Sequence, residues 1–135
     1  MAGFFERHKE QKKAETLEAA KGHEKKGNYL RAAVCYEAAG ANDKSKEMFA
    51  LAGDHNAKEG NHATAITSYK KAGMYDKVVE LYLSHDKPNM AQAEYEKALK
   101  LYEKEGRFED AAKMAEKMGE KDKAESFRKR KSTAS

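Results

Sequence analysis

Two groups of cations are spaced to meet an anion. Lys97, Lys100 and Lys104 recur at i, i+3 and i+7, so on a helix they share one face. Such a row suits the carboxylates or phosphates of an acidic partner. Arg128, Lys129, Arg130 and Lys131 form the one dense charge block, which reads either as an anchor for anionic lipid or nucleic acid or as the solvated end of a helix whose dipole it complements. The remaining reactive residues are scattered. The histidines at 8, 23, 55, 62 and 85 share no metal-ligand spacing, and Cys35 sits beside Tyr36 in an Ala-rich stretch, the place of a small buried hydrophobe. No nucleophile is spaced to a base, and there is neither a phosphate-binding glycine loop nor a His-Glu-x-x-His pair. The expectation is a protein without catalytic residues, metal or cofactor.

The elements that position these residues are announced by internal repetition. Residues 27–40, 60–73 and 93–106 align at a spacing of 33 without a gap, with Tyr36, Tyr69 and Tyr102 in one column, Ala32, Ala65 and Ala98 in another, and Gly40, Gly73 and Gly106 closing each copy. The stretches that follow align as well. Within each half, apolar residues recur at i, i+3, i+4 and i+7, as in Tyr29, Ala32, Ala33 and Tyr36, which is helical periodicity. The glycines supply left-handed helix ends, and Asn42 or Asp43, Asp76, Glu109 and Asp110 place acceptors or negative charge at the next helix start. Pro88 suits a first helical turn. Helices are expected near 5–25, 28–39, 42–52, 61–72, 75–85, 89–105, 108–118 and 121–130, with 53–60 the least defined stretch.

Composition agrees with a thin helical array. The 135 residues are 37% charged and 39% hydrophobic, with a net charge of +4 from 27 basic and 23 acidic residues, no Trp and a mean hydropathy of -1.02. A single Cys excludes a disulfide scaffold, and no apolar run approaches the roughly 20 residues that span a bilayer. The N-terminus lacks the layout of a secretory signal, so a cytoplasmic setting is expected. The expected organisation is one all-α domain: a capping helix over 1–26, helical hairpins over 27–59, 60–92 and 93–125, and a basic tail over 126–135.

Over residues 28–122 these columns resemble the tetratricopeptide (TPR) repeats, with a period one residue shorter than the family's own. The family's opening aromatic falls on Tyr29, His62 and Tyr95, its later tyrosine on Tyr36, Tyr69 and Tyr102, and its turn glycine on Gly40, Gly73 and Gly106. The aromatic after the turn falls on Tyr75 and Phe108, and the second-helix alanine on Ala111. Residues 106–113 are also similar in style to the soluble NSF attachment proteins of vesicle trafficking. The resemblance implies a TPR-like α-α superhelix whose concave face binds a protein or peptide.

On that face fall Arg31, Val34 and Ala38, then Thr64, Thr67 and Lys71, then Lys97, Lys100 and Lys104, running from mixed apolar to basic. An acidic peptide is the expected ligand, with Glu96 and Glu103 available to pair the lysines along their own helix. The clamp by which some TPR proteins hold chaperone tails is not matched, because its positions hold Leu30, Val34, Thr64 and Ala93, with Lys97 alone of the right chemistry. The expected function is thus an adaptor, monomeric or weakly oligomeric. The alternatives are a nucleic-acid or anionic-membrane binder acting through Arg128–Lys131, with nucleic acid the less favoured and any membrane contact peripheral, and a self-assembling module of a larger complex.

Overall fold

The computed structural model describes residues 2–134 and is all-helical there. Its helices are α1 (Ala2–Lys25), α2 (Tyr29–Ala38), α3 (Asn42–Lys58), α4 (His62–Lys71), α5 (Tyr75–Ser84), α6 (Pro88–Lys104), α7 (Phe108–Lys117) and α8 (Lys121–Ala134). They divide into two compact units, Met1–Met74 and Tyr75–Ser135. In the first, α1 packs on α2, α2 on α3 and α3 on α4; in the second, α5 packs on α6, α6 on α7 and α7 on α8.

One turn joins every consecutive pair. Its central residue is left-handed: Gly27, Gly40, Gly60, Gly73, Asp86, Gly106 and Gly119, with φ between 57° at Asp86 and 84° at Gly60. The next residue donates its N–H five residues back, as Ala41 does to the Tyr36 carbonyl at 2.9 Å and Arg107 to Tyr102 at 2.7 Å, which closes a Schellman motif. That same residue's carbonyl opens the following helix, accepting from the residue four on: Ala32, Ser45, Ala65, Ala91, Ala111 and Ala124. All six are small and buried, so each helix brings its first turn close to its neighbour's backbone. No side-chain cap hydrogen bond forms at α2, α3, α4, α6 or α7, so the acceptor role expected of Asn42 or Asp43 at α3 and of Glu109 or Asp110 at α7 is not taken up. Asp43, Asp76, Glu109 and Asp110 keep the electrostatic part of the role in first turns, and Pro88 opens α6.

The left-handed residues are separated by 13, 20, 13, 13, 20 and 13 positions, as their numbers 27, 40, 60, 73, 86, 106 and 119 show. Short modules carry helices of 10 residues and long ones helices of 17. One short plus one long module gives the 33-residue period; two short plus one long gives 46, which takes the starts of α2, α3, α4 and α5 onto those of α5, α6, α7 and α8. The expected third hairpin therefore does not begin a helix, since residue 93 lies inside α6. Two further expectations are corrected: α3 runs through the stretch near 53–60 as far as Lys58, and the expected tail over 126–135 is helical to Ala134, part of α8.

The reason α3 continues lies in its contact with α4. A Cβ on Gly53 would come within 2.6 Å of the Tyr69 ring, whose hydroxyl donates to Asp54 Oδ1 at 2.6 Å. The glycine is the seat of the ring. In the second unit the positions 46 residues on are Leu99 and Ala115, both buried, with large and small exchanged between the helices.

Around this, the first unit's core gathers Ala20, Ala32, Ala33, Tyr36, Met48 and Phe49, with Leu17, Tyr29 and Cys35 packed against it. The second buries Val78, Val79, Tyr95, Leu99, Tyr102, Met114 and Phe127 among alanines. Met90, by contrast, is 47% exposed. Buried tyrosines are tied to carboxylates on other elements. Tyr36 donates to Glu24 Oε1 at 2.6 Å while Lys44 donates to its Oε2 at 3.0 Å, and Tyr95 donates to Glu120 Oε2 at 3.0 Å, with Lys123 also 3.0 Å from that oxygen. Tyr36 with Lys44 holds the Glu24 carboxyl below its ordinary 4.5, and Lys123 with Tyr95 does the same for Glu120. The Glu24 bond in turn raises Tyr36, and burial pushes Tyr102 up to about 12.

Two outcomes are expected. Gly53→Leu alone destabilises the first unit by about 1–3 kcal/mol in urea unfolding, and adding Tyr69→Ala, which copies the second unit's pair, recovers most of the loss. Because the Glu24 and Glu120 pKa values are depressed on folding, their stabilisation is full above pH 4.5 and is lost as pH falls through the lowered values. The melting temperature of Glu24→Gln/Glu120→Gln should be lower at neutral pH and fall less steeply in acid than that of the parent chain.

Candidate functional site

The residues expected on one binding face fall in both units, six on α2 and α4 of the first and the lysine row on α6 of the second. In the first unit α2, α3 and α4 enclose a cleft of about 430 Å³ lined by Leu30, Val34, Glu37, Phe49, Ala63, Thr64, Thr67, Ser68 and Lys71. Four expected site residues, Val34, Thr64, Thr67 and Lys71, meet there. Arg31 instead borders a neighbouring hollow of about 420 Å³ with Tyr29, His55 and Asn56, and Ala38 is exposed on α2 outside both linings.

The cleft's rim is apolar and open, with Val34 53% and Leu30 40% exposed. Its far side is charged: Lys71 Nζ lies 3.7 Å from Glu37 Oε2 and 5.9 Å from the centroid of the Phe49 ring. Its floor carries Ser68, 1% exposed, whose hydroxyl has no hydrogen-bond partner among the described residues. A buried hydroxyl left unpaired costs about 1–3 kcal/mol. Sequence inspection singled out neither Phe49 nor Ser68 as a site residue. The available signal was the break in pattern, since Cys35 stands 33 residues before Ser68 and Met114 stands 46 after it.

On α6, Lys97, Lys100 and Lys104 are exposed on one face. The glutamates expected to pair with them are engaged elsewhere, Glu96 by Gln92 at 3.1 Å and Glu103 by Arg130 at 3.1 Å. Lys97 lies 3.9 Å from Glu94, whereas Lys100 and Lys104 form no ion pair among the described residues.

The C-terminal cations are the reverse case. Arg128 pairs with Glu116 and lies 3.5 Å from Glu109, Lys129 is 3.6 Å from Glu125, and Lys131 is 3.7 Å from Glu109. Arg130 donates to Glu103 and stacks 4.7 Å from the Phe108 ring centroid, near the buried Phe127. Arg128 holds Glu116 below the usual carboxylate range through that bond. The charge block thus binds α8 to α6 and α7. Among the described residues no three His, Cys, Asp or Glu side chains are grouped to hold a metal ion, and no helix is long and apolar enough to cross a membrane.

Arg130→Ala, which removes both a stack and an ion pair, should cost about 1 kcal/mol of stability, while Lys129→Ala, removing an exposed i, i+4 pair, should cost no more than about 0.5 kcal/mol in the same urea titration.

Compared with known proteins, the chain matches no family model, no curated protein sequence and no solved structure.

Proposed function

We propose that this chain is a cytoplasmic, non-enzymatic adaptor, a TPR-like stack of helical hairpins that binds an acidic peptide segment of a partner protein. The observation that carries the reading is the unpartnered Ser68 hydroxyl at the floor of an apolar cleft. A bound peptide would supply what the fold leaves unmet: a carbonyl or carboxylate oxygen for Ser68, and an apolar side chain to cover Leu30, Val34 and Phe49. Lys71 at the cleft's edge, paired with Glu37 in the isolated chain, favours a neighbouring Asp or Glu; in the second unit Lys100 and Lys104 on α6 are separate exposed cations for acidic residues. Because the helices are preformed, binding costs little reorganisation. The pairing of Arg128–Lys131 with carboxylates of their own unit favours this reading over a nucleic-acid or lipid anchor at the C-terminus.

Selection of a displayed random-peptide library against the full chain tests it. Selected peptides should place an apolar residue beside Asp or Glu, and backbone amide shifts on titration should centre on Thr64, Thr67, Ser68 and Lys71. Val34→Asp should weaken a selected peptide by roughly tenfold or more, the loss of about one buried apolar contact, and Lys71→Glu by a similar factor. Peptides that bind both variants as tightly as the parent would remove the reading and leave the fold untouched.

A further inference from the structure

Residues 3–15 of α1 lie outside the packing of the first unit. Every residue from Gly3 to Glu15 is exposed, and burial begins only at Thr16, Leu17 and Ala20. At 1.5 Å per residue the overhang projects roughly 20 Å. An unsupported helix of this length is marginal in water, and this stretch gains no tertiary contact that would favour its continuation. Its tip nevertheless carries the two most exposed large hydrophobes, Phe4 at 64% and Phe5 at 62%, their rings edge to face at 5.7 Å.

The residues around that tip are sorted by helical geometry. Phe4, His8 and Lys12 follow one another at i+4, and Phe5 and Lys9 form the adjacent row, so aromatic and basic side chains share one side. Glu6 and Glu10 fall on a separate stripe that continues into Leu17 and Glu24, while Phe5 and Lys9 lie on the row that continues into Ala20; both rows border the side by which the packed part of α1 meets its unit, and neither is covered in the overhang. The one carboxylate on the aromatic side, Glu15, lies more than two turns farther along, and Gln11 donates to it at 3.5 Å. Rings at the tip with lysines one and two turns behind form the arrangement by which an interfacial helix enters the headgroup layer of an anionic bilayer.

We propose that the overhang of α1 is a peripheral membrane contact, inserting Phe4 and Phe5 among the acyl chains of an anionic lipid surface while Lys9 and Lys12 meet the headgroups. The site is independent of the cleft on α2 and α4. It leaves the packed part of the first unit in water, because that part of α1 begins beyond it.

The chain contains no Trp, so Phe5→Trp places a unique reporter at the tip. Emission from this variant should shift to the blue with vesicles of mixed phosphatidylserine and phosphatidylcholine, be quenched by brominated acyl chains, and lose the shift as salt is raised. Vesicles of phosphatidylcholine alone should give little response. In co-sedimentation of the otherwise native chain, Phe4→Ser/Phe5→Ser should weaken binding by roughly tenfold or more. Lys9→Gln/Lys12→Gln should weaken it by roughly twentyfold, about fivefold for each cation near the surface. The melting temperatures of both variants should match the parent, since the altered side chains touch nothing in the fold. An unshifted Trp, equal binding to zwitterionic vesicles, or vesicle binding that survives the double Phe substitution would overturn the proposal, as would capture by RNA without capture by lipid.

Discussion

The fold depends on how closely one helix can start beside the end of the last. A chain with 39% hydrophobic residues and no Trp has few large side chains with which to build a core. It compensates by bringing backbones together. The left-handed residue reverses the chain in three positions, and the helix that follows presents a buried Ala or Ser as its fourth residue at six of the junctions. At the seventh the residue is Val78, also fully buried. A larger residue at those positions would hold the axes apart and forfeit the dispersion contacts on both sides. Tyrosines then fill what the alanines leave, and their hydroxyls reach the carboxylates of Glu24, Asp54 and Glu120 at the edge of solvent. Burial of the ring and hydration of the carboxylate are thereby reconciled.

This constraint explains both what sequence inspection could find and where it failed. Because every junction uses the same turn, the glycines and the small residues five positions on mark the helix starts plainly, and the expected elements agree with those observed to within a few residues over most of the chain. The error lies in the unit of repetition. Short and long modules alternate so that 33 recurs between many of the junctions, and alignment at that spacing drew Ala93 and Tyr95 into a column of helix starts although they lie within α6. Tyr95 mimics Tyr29 in its aromatic spacing to Tyr102, but nothing breaks the helix before it. The stretch 53–60 was unreadable for a different reason. Gly53 looks like a helix breaker, and its use as the seat of the Tyr69 ring is a tertiary fact that no local pattern carries.

Charge was legible in position and not in consequence. Arg128–Lys131 forms a dense basic run in sequence, yet each cation has a carboxylate from α6, α7 or α8 within reach. Lys97, Lys100 and Lys104 looked self-neutralised by neighbouring glutamates, and those glutamates are held by Gln92 and Arg130. In both cases the deciding partner is far off in the chain or competes at equal spacing along it. A helix-local rule ranks such pairs by separation alone, whereas the folded unit ranks them by which side chain is already immobilised. Arg130, stacked on Phe108, loses little further freedom in binding Glu103.

The features that point to function are those the packing does not require. At the same level of the other modules Met48, Met114 and Phe127 are buried and apolar while Glu94 is buried and charged, and an alanine at Ser68 would fill the same space without an unmet hydroxyl. Leu30 and Val34 face water although the same helix buries three residues on its other side. The overhang of α1 likewise keeps Phe4 and Phe5 exposed on a segment that contributes no contact to the core. Each departure costs solubility or stability in the isolated chain, and none relieves strain elsewhere in it. A fold that otherwise repeats one economical junction seven times has no packing use for these exceptions, which is why the proposed ligands are placed at them.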